Sequence, residues 1–412
     1  MDRAILVTID FNDGLVDYHE NELKKLAQTN DITSVYFIRQ KLTTPKVGYY
    51  VGKGKLDEIK MAIDTMDATI VIFNDELSPS QIRNLESYLN ISVIDHSMLI
   101  LNIFASRAKT NEAMIEVELA QLKYMLPRLV GLKRSLSRQG GGFNAKGPGE
   151  KQIELDRRKI EKRIHKLNED LKKIMVMRKN RRKNRTDKVV CLVGYTNAGK
   201  SSLMNALINS FSLEKKTVEA EDLLFKTLTT QSRNITINND SFILTDTVGF
   251  VDKLPHHLVN SFKSTLEEIL DADLLIHVVD ASNSNYNLQI ETTNNVLSEL
   301  KALDIPMIYA FNKADLLDEQ FFPPYDNSIL ISTKDYQNIN LLANMIKERI
   351  FESKIRLALL IPFDKGNLVN YLIQNEKIID KNYINEGYLL IVDIHKNNLK
   401  KYEEYIYKTA LN

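Results

Sequence analysis

The fold is decided by eight residues near the middle of the chain, Gly194-Tyr195-Thr196-Asn197-Ala198-Gly199-Lys200-Ser201. They match the pattern GxxxxGK[ST]; the apolar run KVVCLV precedes them, and a helical segment that begins with Ser202 follows. Glycines in such a loop let backbone N–H groups turn inward around phosphates, because no Cβ stands in the way. Lys200 can bridge the β- and γ-phosphates, and the Ser201 hydroxyl can bind Mg²⁺. We predict that residues 194–202, from Gly194 to Ser202, contact the nucleotide. A glycine turn that matches by chance is the alternative, and the flanking strand and helix argue against it.

A second element lies about 50 residues further along, where Asp246-Thr247-Val248-Gly249 closes a strand-like segment. An aspartate at this place can hold Mg²⁺ through a water molecule, and the Gly249 N–H can contact the γ-phosphate. The DxxG pattern alone is often only a turn at the end of a strand. Its distance from the phosphate loop favours the nucleotide-binding interpretation.

The third element, Asn312-Lys313-Ala314-Asp315, also follows a strand-like segment. A carboxylate there can accept hydrogen bonds from N1 and the exocyclic N2 of guanine, a donor pair that adenine lacks. Asp315 therefore predicts selectivity for guanine. Ser332-Thr333-Lys334 is a candidate for the last loop that contacts the base.

A threonine from a mobile loop completes the Mg²⁺ shell of such sites when γ-phosphate is present. The correct interval of this chain holds Phe225-Lys226-Thr227-Leu228-Thr229-Thr230-Gln231. We predict that Thr227 is the Mg²⁺ ligand and that residues 225–229 contact the nucleotide. Mg²⁺ is the expected cofactor and GTP the expected substrate, with Lys200, Thr227 and Gly249 as the predicted catalytic residues.

Hydrolysis also needs a positioned water molecule and neutralised charge. Many GTPases orient that water with a glutamine directly after DxxG, but this chain has Phe250, which cannot hydrogen-bond to water. We therefore predict slow intrinsic turnover that a partner accelerates, by ordering the switch loops or by supplying groups in trans. His256 and His257 lie nearby, and a surface or helix-start role is the alternative to a catalytic one.

The order of strand-like and helix-like segments predicts parallel α/β architecture. We expect an N-terminal α/β domain at 1–105, a helical hairpin with a glycine-rich tip at 106–186, a P-loop domain at 187–353, and a small α+β domain at 354–412. The P-loop domain should hold a mostly parallel sheet with flanking helices. The small domain should contain a strand IRLALLI, a helix near 365–375, a strand near 387–394 and a helix near 398–408.

Composition limits the broad class of the protein. The 412 residues are too many for one core, and 43% hydrophobic with 26% charged residues is ordinary for a globular protein. The single cysteine, Cys191, lies in an apolar run and excludes an intramolecular disulfide framework. No apolar run is long enough to span a bilayer, and the N-terminus does not resemble a signal peptide, so the expected location is the cytoplasm.

Local charge points to RNA. Segment 151–188 has 16 basic and 6 acidic residues, a net charge of +10, and its densest run includes Arg181, Arg182 and Lys183. Such a segment can neutralise several phosphates, although a solvated helical face is the alternative. The loop that contains Gly140, Gly141, Gly142 and Lys146 lacks bulky side chains, so its backbone can approach RNA closely. We predict that these seven residues contact RNA.

Several motifs that go beyond the generic GTPase pattern resemble the HflX family of translation-factor-related GTPases, and the resemblance covers nearly the whole chain. They are Gly140-Gly141-Gly142 with 146–152, Tyr50-Val51-Gly52-Lys53-Gly54-Lys55, Val117-Glu118-Leu119-Ala120-Gln121-Leu122, and 246–250 with Leu254-Pro255-His256. Two segments depart from the family pattern. The chain has FKTLTTQSR where the family has FATLDPTTR, with Thr227 aligned, and Phe143-Asn144-Ala145-Lys146 where IGTR is commoner.

The resemblance implies a GTPase that binds the 50S ribosomal subunit and its rRNA and dissociates stalled or idle 70S ribosomes under heat or other stress. It also implies stimulation of hydrolysis by the large subunit, and ATP binding or RNA remodelling through the N-terminal domain. Gly52-Lys53-Gly54-Lys55 can bind a phosphate, but a basic turn before a helix is the simpler interpretation. One alternative function is a GTP-gated 50S-binding factor in which hydrolysis only resets binding, and another is an ATP-dependent RNA helicase. Off the ribosome, a monomer is expected.

Overall fold

An N-terminal sheet of four parallel strands, in the order β2-β1-β3-β4, begins the fold. Its strands are β1 Arg3–Asp10, β2 Thr33–Lys41, β3 Ile70–Phe73 and β4 Ser92–Asp95. The computed structural model describes residues 2–139, 148–183, 187–211, 225, 231–237, 240–253, 266–317, 321–351, 354–395 and 399–409, which are called the described residues below. β1 is buried along nearly its whole length, because helices cover both faces of a parallel sheet.

Four helices connect or flank these strands: α1 Val16–Thr29, α2 Lys53–Met66, α3 Pro79–Leu89 and α4 His96–Arg107. The start of α3 shows why the chain becomes helical where it does. The Ser78 hydroxyl accepts from the Gln81 N–H at 3.3 Å, and the Gln81 side chain accepts from the Ser78 N–H at 2.9 Å. This reciprocal cap satisfies two free N–H groups, and Pro79 fits the first helical position. Residues 54–66 and 79–89, whose sequences have helical patterns, thus lie in α2 and α3, whereas α4 was not expected from the sequence.

Two long helices follow, α5 Asn111–Gln139 and α6 Pro148–Lys183. They pack against each other, and the Arg163 guanidinium of α6 donates two hydrogen bonds of 2.6 Å to the Glu118 carboxylate of α5. The predicted pair of helices is therefore present. The glycine-rich tip, residues 140–147, lies outside the described residues.

The next sheet has six strands in the order β10-β9-β8-β5-β7-β6, and β6 alone is antiparallel to its neighbour. The strands are β5 Lys188–Val193, β6 Gln231–Ile237, β7 Asp240–Asp246, β8 Leu274–Asp280, β9 Met307–Asn312 and β10 Ser328–Leu330. The described helices of this part are α7 Lys200–Phe211 and α8 Tyr286–Glu299. Cys191, which lies in the apolar run, is buried in β5, and its thiol donates to the Glu268 carbonyl at 3.6 Å. The predicted mostly parallel sheet with flanking helices is confirmed.

Residues 1–339 form one compact unit, and residues 340–412 form a second. The second unit has helices α9 Ile339–Ile350, α10 Gly366–Asn375 and α11 Leu399–Tyr402. Its antiparallel sheet has the order β12-β13-β11-β14, with β11 Lys354–Ile361, β12 Lys377–Ile384, β13 Gly387–His395 and β14 Ile406–Thr409. The prediction of a small α+β domain is confirmed. The finer division of the chain at 105, 186 and 353 remains a prediction.

One predicted element of the second unit is wrong. The helix near 398–408 ends at Tyr402, a 3-10 turn follows, and β14 then pairs with β11. Pairing with β11 satisfies the backbone of residues 406–409 and covers that edge of the sheet, and this tertiary gain overrides the local helical pattern.

Candidate nucleotide site

The phosphate loop connects the end of β5 to the start of α7, as the pattern predicts. Lys200 is the first residue of α7, and its side chain is buried under the loop. Its ammonium group donates to the carbonyl oxygens of Gly194, at 3.0 Å, and Tyr195, at 2.7 Å. Burial lowers the pKa of Lys200 to about 8, and the nearby Asp246 carboxylate acts in the opposite direction. A phosphate in this loop would favour the charged ammonium.

Gly199 is required by both conformation and space. Its φ is +97°, and a Cβ there would lie 2.1 Å from the side-chain nitrogen of Asn312. That Asn312 nitrogen donates to the Ala198 carbonyl at 3.0 Å, and the Asn312 oxygen accepts from the Thr333 N–H at 3.1 Å. Asn312 thus joins the phosphate loop to the loop at 332–334. This cross-link places the predicted phosphate and base segments side by side.

Two of the residues predicted to hold Mg²⁺, Ser201 and Asp246, lie together at the carboxyl edge of the sheet. The Ser201 hydroxyl, at the start of α7, donates to a carboxylate oxygen of Asp246, at the end of β7, over 2.6 Å. Asp246 is fully buried, and the hydroxyl of the next residue, Thr247, donates to the Leu192 carbonyl at 2.6 Å. Hydroxyl and carboxylate oxygens are the hard ligands that Mg²⁺ prefers, so these residues fit the ion.

The DxxG segment is hydrogen-bonded directly to the phosphate loop. The Thr196 N–H donates to the Phe250 carbonyl at 2.7 Å, and the Phe250 N–H donates to the Gly194 carbonyl at 3.1 Å. Gly249 lies so close that a Cβ there would be 2.8 Å from Thr196 Cγ2 and 2.9 Å from Lys200 Nζ. The structure therefore brings Gly249 and Lys200, two of the predicted catalytic residues, together. Val248, between Thr247 and Gly249, is buried.

Phe250 is a core residue. It is 1% exposed and packs among apolar side chains that include Val193, Leu266 and Leu275. Its ring fills space under the sheet and presents no group to a water molecule. Phe250 thus occupies the place of the usual water-orienting glutamine but offers no hydrogen-bonding group.

The predicted base-contacting residues also converge. The Ser332 hydroxyl donates to one Asp315 carboxylate oxygen at 2.8 Å, and the Lys334 ammonium lies 3.8 Å from the other. Lys313 has a φ of +67° and donates to Asp280 over 2.6 Å. These contacts hold the Asp315 carboxylate beside the loop at 332–334, where a base could meet both.

Other predicted residues cannot be placed. Lys226, Thr227, Leu228 and Thr229 lie outside the described residues, as do His256, His257 and the glycine-loop residues Gly140, Gly141, Gly142 and Lys146. Phe225 is described: it is buried and packs edge-to-face on Phe104 of α4, with ring centres 4.7 Å apart. Arg181, Arg182 and Lys183 belong to the last turn of α6.

The sequence did not predict the contacts between the N-terminal part, which is the sheet β1–β4 with helices α1–α4, and the phosphate loop. The Tyr195 hydroxyl donates to the Glu22 carboxyl of α1 and accepts from the Asp252 N–H at 2.6 Å. Burial, followed by the charge of Asp252, raises the pKa of Glu22 to about 8, although the Tyr195 hydrogen bond acts against this shift. Burial and the nearby Glu22 raise the pKa of Tyr195.

The segment after DxxG is also held by the N-terminal part. A ring nitrogen of His19 lies 2.9 Å from an Asp252 carboxylate oxygen, and the Lys253 ammonium donates to Asp75 over 2.6 Å. Burial alone would raise the pKa of Asp252, but the contacts with His19 and Lys253 together lower it. No sequence signal pairs Asp75, after β3, with Lys253, because the two are far apart in the chain.

Within the described residues, no helix combines the length and apolar character needed to cross a bilayer. The same residues contain no cluster of three His, Cys, Asp or Glu side chains that could bind a metal by itself. A Mg²⁺ ion beside Ser201 and Asp246 would also need oxygen ligands from the nucleotide, from water and from the predicted Thr227.

The fold and the convergent loops define a P-loop GTPase. Residues 189–313 match the family described as 50S ribosome-binding GTPase, 17–105 match GTP-binding GTPase N-terminal, and 107–185 match GTP-binding GTPase Middle Region. The chain is 43% identical to the GTPase HflX of Caldanaerobacter subterraneus, over 94% of this chain and 89% of that protein. It is 37% identical to the Escherichia coli GTPase HflX, over 93% and 91%. The chain belongs to the HflX GTPase family.

A solved structure of a GTP-binding protein from Sulfolobus solfataricus, in complex with GDP, is also similar. It is 26% identical, covers 85% of this chain and 99% of its own, and has a TM-score of 0.47.

Proposed function

We propose that this GTPase binds the 50S ribosomal subunit and uses GTP binding and hydrolysis to dissociate stalled or idle 70S ribosomes. The observation that carries the proposal is the match of the P-loop domain to a family described as 50S ribosome-binding GTPase. The E. coli relative, which is similar over nearly the whole chain, is named GTPase HflX. Stress as the setting, the cytoplasm as location and a monomer off the ribosome belong to the same proposal.

The nucleotide would act through the hydrogen bonds between the phosphate loop and the DxxG segment. A γ-phosphate would accept a hydrogen bond from the Gly249 N–H. Gly249 is followed closely by Asp252 and Lys253, whose side chains contact the N-terminal part. Mg²⁺ held by Ser201, Thr227 and, through water, Asp246 would neutralise phosphate charge. Lys200 and Asp315 would bind phosphate and guanine. GTP would thereby change how the N-terminal part and its long helices are held.

Turnover would be slow without the ribosome. Phe250 is buried in the core, so its ring orients no water for attack. The large subunit would then order the switch loops or supply the missing group. ATP binding by the N-terminal domain stays a prediction from the family resemblance alone.

Co-sedimentation tests the proposal. The protein is centrifuged with 50S and 70S particles in GTP, GDP and a non-hydrolysable GTP analogue, and Lys200→Ala is the control variant. We expect the GTP form to bind 50S and convert 70S into subunits, and GDP to abolish both. Equal sedimentation with GTP and GDP would overturn the proposal. Full splitting with the analogue would instead favour the second candidate, a factor that splits by binding and hydrolyses GTP only to leave.

The tip of the helical hairpin is the proposed RNA probe, with Arg181, Arg182 and Lys183 as further phosphate contacts. Replacing Gly140, Gly141 and Gly142 with bulky residues should abolish splitting, because the backbone could no longer approach RNA closely. GTP affinity should not change, since the nucleotide site lies in another part of the chain. Undiminished splitting would remove the tip from the mechanism.

A further inference from the structure

The segment between β9 and β10, residues 313–327, presents a phenylalanine ring to solvent and is called the β9–β10 loop below. Its described parts are 313–317, which include the predicted guanine contact Asp315, and 321–327. Phe322 is 74% exposed, and Leu316, on the first part of the loop, is 56% exposed. Single exposed apolar side chains are common on protein surfaces, so exposure alone does not indicate a binding site. The way in which the loop holds Phe322 carries the inference.

Core contacts anchor the β9–β10 loop on both sides of Phe322. The preceding residue, Phe321, packs against Phe311 of β9, with ring centres 5.3 Å apart. Three residues after Phe322, the Tyr325 ring stacks on Tyr309 of the same strand, with ring centres 4.3 Å apart. Phe322 thus lies between two aromatic residues that are fixed on the sheet, while its own ring stays in solvent.

Two prolines restrict the backbone that carries this ring. Pro323 and Pro324 each have a fixed φ, and a proline disfavours helical backbone angles in the residue before it, here Phe322. A backbone hydrogen bond then joins the loop to β9, since the Tyr309 N–H donates to the Asn327 carbonyl at 3.0 Å. The loop therefore presents Phe322 in few alternative conformations. A partner that buries the ring would pay a small entropic cost.

The charge of the loop indicates the kind of partner that it fits. Residues 315–326 contain no basic residue and four acidic ones, Asp315, Asp318, Glu319 and Asp326. The nearest lysines along the chain, Lys313 and Lys334, are paired with Asp280 and Asp315. An acidic surface repels RNA phosphates, because surfaces that bind nucleic acid are basic. A protein with a basic rim around an apolar pocket would be complementary to the loop in both charge and polarity.

We propose that Phe322 docks into an apolar pocket of a basic protein on the large ribosomal subunit. The inference rests on the proposed function for the identity of the particle, and it adds a protein contact to the RNA contacts proposed for the helical hairpin. Residues 189–313, which directly precede most of the loop, match the family described as 50S ribosome-binding GTPase. Proteins that bind rRNA are generally basic. An aromatic side chain at the centre of a protein interface often carries much of the binding energy.

Sedimentation with purified 50S subunits measures the affinity of the full-length protein in Mg²⁺ and a non-hydrolysable GTP analogue. The parent is compared with Phe322→Ala, Phe322→Leu and Phe363→Ala. Phe363 is the matched control, because it is also an exposed phenylalanine but belongs to the second unit. Calorimetry with the analogue and thermal unfolding, both without ribosomes, report on the nucleotide site and the fold of each variant.

We expect Phe322→Ala to weaken 50S binding by about thirtyfold or more, as for an aromatic residue at the centre of an interface. Its affinity for the analogue and its melting temperature should stay parental, because the exposed ring belongs neither to the nucleotide site nor to a core. Phe322→Leu keeps an apolar side chain and should retain most of the affinity, and Phe363→Ala should bind like the parent.

Parental 50S binding by Phe322→Ala would overturn this inference and leave the proposed function intact. Absence of 50S binding by the parent would overturn the proposed function, and this inference with it. The two failures are therefore distinguishable.

Photo-crosslinking distinguishes a protein partner from RNA. A Phe322→p-benzoylphenylalanine variant is irradiated on 50S subunits, and the product is treated with ribonuclease and separated by size. We expect an adduct that keeps the added mass of one basic protein after ribonuclease treatment. Loss of the added mass on ribonuclease treatment, or no adduct on sedimented particles, would contradict docking of Phe322 on a protein.

Discussion

At the scale of single residues, the nucleotide site combines side chains whose positions follow from their neighbours. Asn312 is the clearest case, since its amide bonds the phosphate loop with one atom and the 332–334 loop with the other. Asp315 is held by Ser332 and faces Lys334. The carboxylate that is predicted to bind guanine is thus held in place without a ligand, which would lower the entropic cost of binding.

Asp315→Asn should exchange guanine selectivity for xanthine selectivity. The asparagine amide can donate to the 2-oxo group of xanthine, whereas it loses one acceptor for the N1 and N2 donors of guanine. We expect GTP affinity to fall by about a hundredfold or more, since two charge-assisted hydrogen bonds are affected. Competition between GTP and XTP for the variant measures this exchange. Retention of GTP preference would show that Asp315 does not contact the base.

These residues could be predicted from the sequence because phosphate and guanine binding require particular residue types at short spacings. Gly199 is an example, since a positive φ and a close neighbour leave room only for hydrogen. The sequence showed that Phe250 cannot orient water. Its burial in the core explains why an apolar side chain stands at this position. Glu22, His19 and Asp75 gave no signal, because their partners lie far away in the sequence.

At the scale of elements, the long helix α5 is anchored through one buried carboxylate at the end of β4. Asp95 accepts from the backbone N–H groups of Leu77, at 3.0 Å, and Met98, at 2.9 Å. Its carboxylate also accepts from the Tyr124 hydroxyl and, at 3.3 Å, from the Arg128 guanidinium, both on α5. Burial raises the pKa of Asp95, while the backbone N–H groups of Leu77 and Met98 and the charge of Arg128 act against the shift.

Asp95→Ala should loosen α5 from the N-terminal sheet. The substitution removes four hydrogen bonds and leaves the partly buried Arg128 charge without its partner, at a cost of about 3 kcal/mol. Hydrogen exchange of α5 amides near residues 117–128 should accelerate by about a hundredfold where exchange follows this opening. Asp95→Asn, which keeps an acceptor, is the matched control and should have a smaller effect. Parental exchange in the alanine variant would contradict this anchoring role.

The secondary structure was predictable where a local pattern agreed with the packing. The helices at 53–66 and 79–89 have periodic apolar residues, and α3 has its own cap. β12 was missed because Lys377–Ile384 mixes charged and apolar residues, and it becomes a strand by pairing with β13. β14 was read as a helix for the same reason, since its strand conformation depends on the edge of β11.

At the scale of the whole molecule, the N-terminal part contacts two segments beside the nucleotide site, one at Phe225 and one after Gly249, within residues 1–339. Phe104 packs on Phe225, near the predicted Thr227, while His19 and Asp75 bond the residues after Gly249. Tyr195 and Glu22 join α1 to the phosphate loop itself. These contacts join the N-terminal part to the phosphate loop and to the two segments that we propose respond to the bound nucleotide.

Replacing Glu22 with glutamine should remove a pH dependence from this interface. The pKa of Glu22 rises from 4.5 to about 8 on folding, so the folded state binds the extra proton. For an acid with a raised pKa, stability is full below the unfolded pKa and declines as pH rises towards the folded one. The parent should therefore lose stability between about pH 4.5 and pH 8, by at most about 1.4 kcal/mol per pH unit.

Thermal unfolding at several pH values measures this effect. Glu22→Gln should match the parent near pH 5 and unfold at a higher temperature near pH 8, because glutamine keeps the hydrogen bond without a charge. Glu291→Gln, at an exposed position on α8, controls for the lost charge. Melting temperatures of parent and Glu22→Gln that run parallel across this range would rule out titration of Glu22 at the interface.

The sequence by itself determined the sheet class, the order of the phosphate and base loops, and the family resemblance. These features depend on residue types at short spacings, and local stereochemistry permits few alternatives at positions such as Gly199 and Lys200. Only the tertiary structure decided that α1 lies on the phosphate loop, that Lys253 meets Asp75, and that residues 406–409 form a strand. Each of those outcomes depends on burial and pairing between segments distant in the chain, and no local pattern encodes them.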